Sequence, residues 1–141
     1  MAHPSPELQP CIERCQACHA TCLQMAATHC LQAGGKHVEP AHFRLMLDCA
    51  QICQTSADFM LRQSELHAQL CALCAVVCER CAQSCEAVGG MEACVQACRA
   101  CAESCRAMGQ AVWSAADEAL SRGLSVGVEG DRSGGAPVSV G

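Results

Sequence analysis

The spacing of the cysteines constrains this chain more than any other feature. Cys11, Cys15, Cys18 and Cys22 follow one another at steps of 4, 3 and 4 residues. Cys71, Cys74, Cys78, Cys81 and Cys85 follow at 3, 4, 3 and 4, and Cys94, Cys98, Cys101 and Cys105 again at 4, 3 and 4. At about 100° per residue, each four-cysteine run falls within an arc of about 60°, and the five-cysteine run within about 80°. Such steps make a heptad seam with cysteine where leucine normally sits. A fourth segment carries Cys49 and Cys53, one step of 4 apart, and Cys30 stands one residue off the strict seam.

The same steps extend each seam with other soft or imidazole ligands. Cys22 is followed by Met25 and His29. The second segment reads His42, Met46, Cys49, Cys53, Ser56, Met60. His67 precedes Cys71, Met91 precedes Cys94, and Met108 follows Cys105. One or two cysteines in a core pack as small hydrophobes. Thirteen in three heptad runs are not explained that way, because the core they would form is thinly filled.

Punctuation divides the chain into four helices. Ser5 and Pro6 suit a helix start, and Gly34-Gly35 an end near Ala33. Pro40 suits the start of a second helix running to about Gln63, and Ser64 the cap of a third ending at Gly89-Gly90. The fourth runs from about Met91 to about Gly109. Short loops make sequential helices antiparallel neighbours, so the expected fold is all-α: an antiparallel up-down four-helix bundle with a cysteine-lined core. The bundle is expected over residues 1–110. Residues 111–141 read as a short helical extension and a flexible tail rich in Gly, Ser and Val.

Composition narrows the function. Sixteen of 141 residues are cysteine, tyrosine is absent, Phe43 and Phe59 are the only phenylalanines, and Trp113 is the only tryptophan. The formal net charge is −5, with no basic stripe and few aromatics for base stacking, which argues against nucleic-acid binding. The beginning of the sequence has no apolar signal region, and the stretch Cys15–Gly35, free of charged residues, is too polar to span a bilayer. The expectation is a cytoplasmic protein with no membrane partner. In that compartment abundant thiols point to metal or redox chemistry rather than a disulfide frame.

Several chemistries compete for these thiols. Intrahelical disulfides are strained by side chains that splay from one face. Structural zinc and iron–sulfur clusters need four converging ligands, and no ferredoxin-type spacing appears. Cys15-Gln-Ala-Cys18-His19 matches the haem attachment string, but both cysteines already belong to the seam. Glu39-Pro-Ala-His42 is the only Glu-x-x-His, where a di-iron bundle needs two. Soft thiolate and thioether ligands select Cu(I). With two thiolates per ion and each thiolate bridging two ions, the ratio is one ion per cysteine, so sixteen cysteines imply on the order of sixteen Cu⁺, which neutralise the buried thiolates. Only this reading uses all the cysteines. A thiol-redox protein, or one binding zinc or an iron–sulfur cluster, stands as the alternative.

The repeated C-x-x-x-C and C-x-x-C seams over residues 5–110 resemble those of the four-helix-bundle copper storage proteins, a cysteine-rich bacterial family. The resemblance implies a bundle lumen filled with many Cu(I) ions, homotetramers of bundles, and storage and detoxification rather than catalysis. Members lacking export signals act in the cytosol. All sixteen cysteines are then candidate ligands. Met25, His29, His42 and Met46 gather at one bundle end with Met91 and, in the loop, His37; they are candidates for passing incoming Cu(I) to the thiolates. Met60, His67 and Met108 mark the other end. His3, His19 and His37 are expected to be surface residues.

Overall fold

A computed structural model describes residues 8–110. The expected Ser5–Pro6 helix start, His3 and the extension and tail at 111–141 lie outside the described residues. Four helices make up the fold: α1 (Leu8–Met25), α2 (Pro40–Leu61), α3 (His67–Val88) and α4 (Glu92–Met108). Among the described residues there is no strand.

The helix boundaries follow from local chemistry. Pro40 occupies the first turn of α2, where its missing N–H costs no hydrogen bond. Gly34 (φ 67°) and Gly89 (φ 86°) sit in backbone regions that side chains with a Cβ rarely adopt, and they stop the helices before them. Gln63 does the same at φ 56° without being glycine. Its N–H donates to the Met60 carbonyl at 3.0 Å and the Ser64 N–H to the Phe59 carbonyl at 2.9 Å, the paired closure of a Schellman end. Ser64 does not cap α3 as expected: its hydroxyl accepts from the Leu66 N–H at 3.0 Å in the preceding turn, and α3 begins at His67 with Leu66 at the cap position and no side-chain cap.

The first helix departs from the regular pattern. After Met25 the chain makes a π turn over Ala26–Cys30, then a last α-turn, Leu31–Ala33. The Thr28 hydroxyl donates to the Gln24 carbonyl at 2.7 Å within this stretch. A π turn absorbs one extra residue. The register therefore slips, and Ala26 and Cys30 face the core, both fully buried. Met25 and His29, expected on the seam, are only partly buried, and Cys30, expected off it, is on it. A 3₁₀ turn, Gly35–Val38, then fills what the sequence suggested was plain loop.

Each helix packs on its two neighbours, closing a ring in the order α1, α2, α3, α4. Contacts across the ring run in opposite directions. Cys11 meets Cys105, Cys15 meets Cys101 and Cys18 meets Cys98, so α1 and α4 are antiparallel. Met60 meets Cys71, Cys53 meets Cys78 and His42 meets Ser84, so α2 and α3 are antiparallel. The core contains every cysteine, with Ile12, Met46, Met60 and Met91 as its largest buried side chains.

Candidate metal centre

Heptad spacing on four helices turns four thiol rows inward, and the ring brings them into contact. All sixteen cysteines are free and buried, none more than 1% exposed. Their sulfurs lie 3.4 Å apart for Cys15–Cys105 and Cys53–Cys78, 3.5 Å for Cys22–Cys98 and Cys15–Cys101, and 3.8 Å for Cys18–Cys49 and Cys53–Cys101.

These contacts organise into five groups along the bundle axis. At one end stand Cys11, Cys71 and Cys105; next come Cys15, Cys74, Cys101 and Cys105; then Cys53, Cys74, Cys78 and Cys101. Cys18, Cys49, Cys53 and Cys78 follow, and then Cys18, Cys22, Cys49 and Cys98. Within each group the ligand sulfurs are all within 4.8 Å of one another. Every group shares at least one sulfur with the next. Cys74 and Cys101, for example, belong to both the second and the third. Separate zinc ions would each claim their own four thiolates. A row of shared sulfurs instead suits soft ions of low coordination number, bridged thiolate to thiolate.

Cys81, Cys85 and Cys94 extend the row beyond Cys22. Cys81 and Cys85 are 4.0 Å apart, and the Cys94 thiol points at the Thr21 carbonyl at 4.0 Å. Farther on lies a mixed-donor end. The Cys30 thiol donates to the Met46 sulfur at 3.7 Å, and His37 Nδ1 is 3.8 Å from the Cys30 sulfur. The His29 and His37 rings meet edge to face, 5.0 Å between centres. His42 is 4% exposed; its Nδ1 pairs with the Ser84 hydroxyl at 2.7 Å, which leaves Nε2 buried without a partner. His29 Nε2 is likewise buried and unpaired. Such orphaned nitrogens are costly unless something arrives to bind them.

His37 thus belongs to the cluster, contrary to the surface role the sequence suggested. The signal was the 3₁₀ turn, which no residue pattern in 35–38 announces strongly. His19 is spoken for: its Nδ1 pairs with the Ala50 carbonyl at 2.8 Å, tying α1 to α2, while Cys15 and Cys18 face the core. The haem-like string therefore has no common face on which to hold a haem. At the opposite end the Cys71 thiol donates to the Met60 sulfur at 3.7 Å, and His67 Nδ1 pairs with the Ser64 carbonyl at 2.9 Å.

The thiols share protons among themselves. Cys49, Cys53 and Cys105 are pushed well above the ordinary thiol range, first by hydrogen bonding with neighbours (Cys18, Cys101 and Cys101 in turn) and further by burial. Cys22 and Cys101 are held low, chiefly by hydrogen bonding with Cys18 and Cys105 respectively. Burial alone raises Cys30. Burial, then the nearby His37, lowers His42, which favours the neutral imidazole that can bind a metal.

Several known proteins are similar to this chain. A profile of the copper storage protein family, Csp, matches residues 5–110. The Nmul_A1745 protein from Nitrosospira multiformis has a solved structure that is 57% identical, with a TM-score of 0.73, over 74% of this chain and 95% of that one. The Cu(I)-bound copper storage protein BsCsp3 is 35% identical, with a TM-score of 0.68, over 73% of this chain and 98% of that one. The uncharacterized cysteine-rich protein YhjQ of Bacillus subtilis (strain 168) is 36% identical over 67 residues, which are 48% of this chain and 61% of that protein.

Proposed function

Because the chain belongs to the copper storage protein family, we propose that it stores Cu(I) on the thiol row inside its bundle and so limits copper toxicity. The carrying observation is the sharing of sulfurs between successive groups along the axis. All sixteen cysteines act as thiolate ligands in this reading, and the load is on the order of one ion per cysteine. The protein is a non-enzymatic store, acts in the cytoplasm and assembles as a homotetramer. Exposed leucines such as Leu31, Leu66 and Leu73 offer apolar surface for that assembly. No described helix is long and apolar enough to cross a membrane.

The test is an anaerobic titration of reduced protein with Cu(I) against a chromogenic Cu(I) chelator, with light scattering on the same sample. The expected result is about sixteen ions withheld from the chelator and a mass of four chains. Saturation at one to four ions would overturn storage and favour a structural zinc or iron–sulfur site.

Cu(I) is taken up at the end that holds Met25, His29, His42 and Met46. Neutral donors there bind more weakly than thiolates, so they pass ions inward instead of retaining them. Two imidazole nitrogens without partners support this role. Met25→Ala with His29→Ala should slow Cu(I) loading in stopped-flow mixing while leaving the final capacity nearly intact. Unchanged loading rates would refute it.

A further inference from the structure

We propose that Cys18, Cys22, Cys49 and Cys98 form a ready-made tetrathiolate site for one divalent ion of the zinc class, held until copper displaces it. Among the described residues this is the one four-thiol group in which every pair of sulfurs is in contact. Cys18 lies 3.8 Å from Cys22, 3.8 Å from Cys49 and 3.7 Å from Cys98. Cys22 lies 3.9 Å from Cys49 and 3.5 Å from Cys98, and Cys49 lies 3.8 Å from Cys98. Six nearly equal edges make a tetrahedron. Zn²⁺ takes four thiolates tetrahedrally at about 2.3 Å, which sets the sulfurs about 3.8 Å apart. The four side chains therefore close on such an ion with little movement. A Cu(I) ion of low coordination number uses only part of the same tetrahedron.

The ring of helices places the site. Cys18 and Cys22 stand one turn apart on α1 and face the same way. The two neighbours of α1, which are α2 and α4, each add one thiol. All four residues are fully buried. Each ligand still protonated gives up its proton on binding, and four thiolates around one dication leave a net negative charge in the interior. Neighbouring thiols that keep their protons offset it by hydrogen bonds to the bound sulfurs, as Cys78 can to Cys49 at 3.7 Å. Cys18 and Cys49 also belong to the adjoining group with Cys53 and Cys78. Copper filling that group withdraws two of the four ligands, so the divalent ion leaves as the row loads. The tetrahedron stands apart from the copper-storage reading: it accepts a divalent ion whatever number of Cu(I) ions the row takes up.

Co(II) is the probe, because a tetrahedron of four thiolates gives it intense visible ligand-field bands and a thiolate-to-metal charge-transfer band. The full-length, reduced, metal-free protein, titrated anaerobically with Co(II), should develop this spectrum and saturate at about one ion per chain. Zn(II) should bleach it mole for mole, and Cu(I) should expel the cobalt. The Cys22 and Cys98 thiols belong to no other group, whereas Cys105 belongs to two others and not to this one. Cys22→Ala and Cys98→Ala should each abolish the four-sulfur spectrum while keeping helical circular dichroism, and Cys105→Ala should preserve it; either of the first two serves if the other fails to fold. Weak octahedral bands, or the spectrum of imidazole donors, in the unsubstituted protein would overturn the proposal. So would saturation at several ions, a four-sulfur spectrum that survives Cys22→Ala and Cys98→Ala or is lost in folded Cys105→Ala, or cobalt retained after copper loading.

Discussion

Ser56 stands on the α2 seam one turn after Cys53 and one turn before Met60, where the other helices carry thiols. It is fully buried, and its hydroxyl has no hydrogen-bond partner among the described residues. An unpaired buried hydroxyl costs about 1–3 kcal/mol. Ser56→Cys replaces it with a group content in apolar surroundings that also ligates copper. We expect the metal-free variant to be more stable by about 1 kcal/mol in denaturant melts, and the copper withheld from a chelator to rise by one ion per chain. A lower capacity would show that the row ends before this level. Cys30 apart, the inward place of the cysteines was legible one by one, because a thiol at every 3.5-residue step has few other meanings. His37 was not, because its place beside Cys30 depends on a turn that residue types alone specify weakly.

Helix periodicity carries a similar lesson at the scale of the element. Three of the four helices keep the spacing read from their cysteines, so each thiol faces where counting places it. In the first, the π turn Ala26–Cys30 rotates the last thiol inward and the nearby methionine and histidine partly outward. Counting at 3.6 residues per turn assumes an unbroken helix, and the packing of Cys30 against Met46 belongs to the broken one. Gly109 shows another tertiary demand. It reads as a helix stop, yet its φ of −91° is open to any residue; what requires glycine is the backbone of Ala72. Gly109→Ala gains a few tenths to 1 kcal/mol from the unfolded chain but forces two helices apart, at about 1–3 kcal/mol. A net loss of about 1 kcal/mol or more is expected in chemical denaturation, and an unchanged midpoint would remove the close approach as its cause.

The whole molecule binds protons before it binds copper. Twelve of the sixteen thiols are pushed above their ordinary value and four are held below it. A thiol whose pKa is raised on folding contributes stability that is present below the unfolded value, about 9, and is lost as pH rises past it. The metal-free bundle should therefore weaken in alkali, seen as a falling melting temperature above about pH 9. Copper loading has the opposite proton balance: each thiolate formed gives up a proton. Loading in weak buffer should release on the order of one proton per raised thiol, and copper should be held less firmly as pH falls. Loading without proton release would mean that the thiols were already ionised.

The sequence by itself determined the number of helices, their stops, the antiparallel bundle and the inward direction of most thiols. These rest on local rules: glycine and proline at chain ends, short loops, and a repeat near 3.5 residues on each helix. Only the tertiary structure decided which sulfurs meet across the ring, which are shared between neighbouring groups, and which imidazoles gather at the Cys30 end. Those outcomes depend on how far each helix slides and turns against its neighbours. Shifts of one residue, as at the π turn, change that registry without altering any helix's composition.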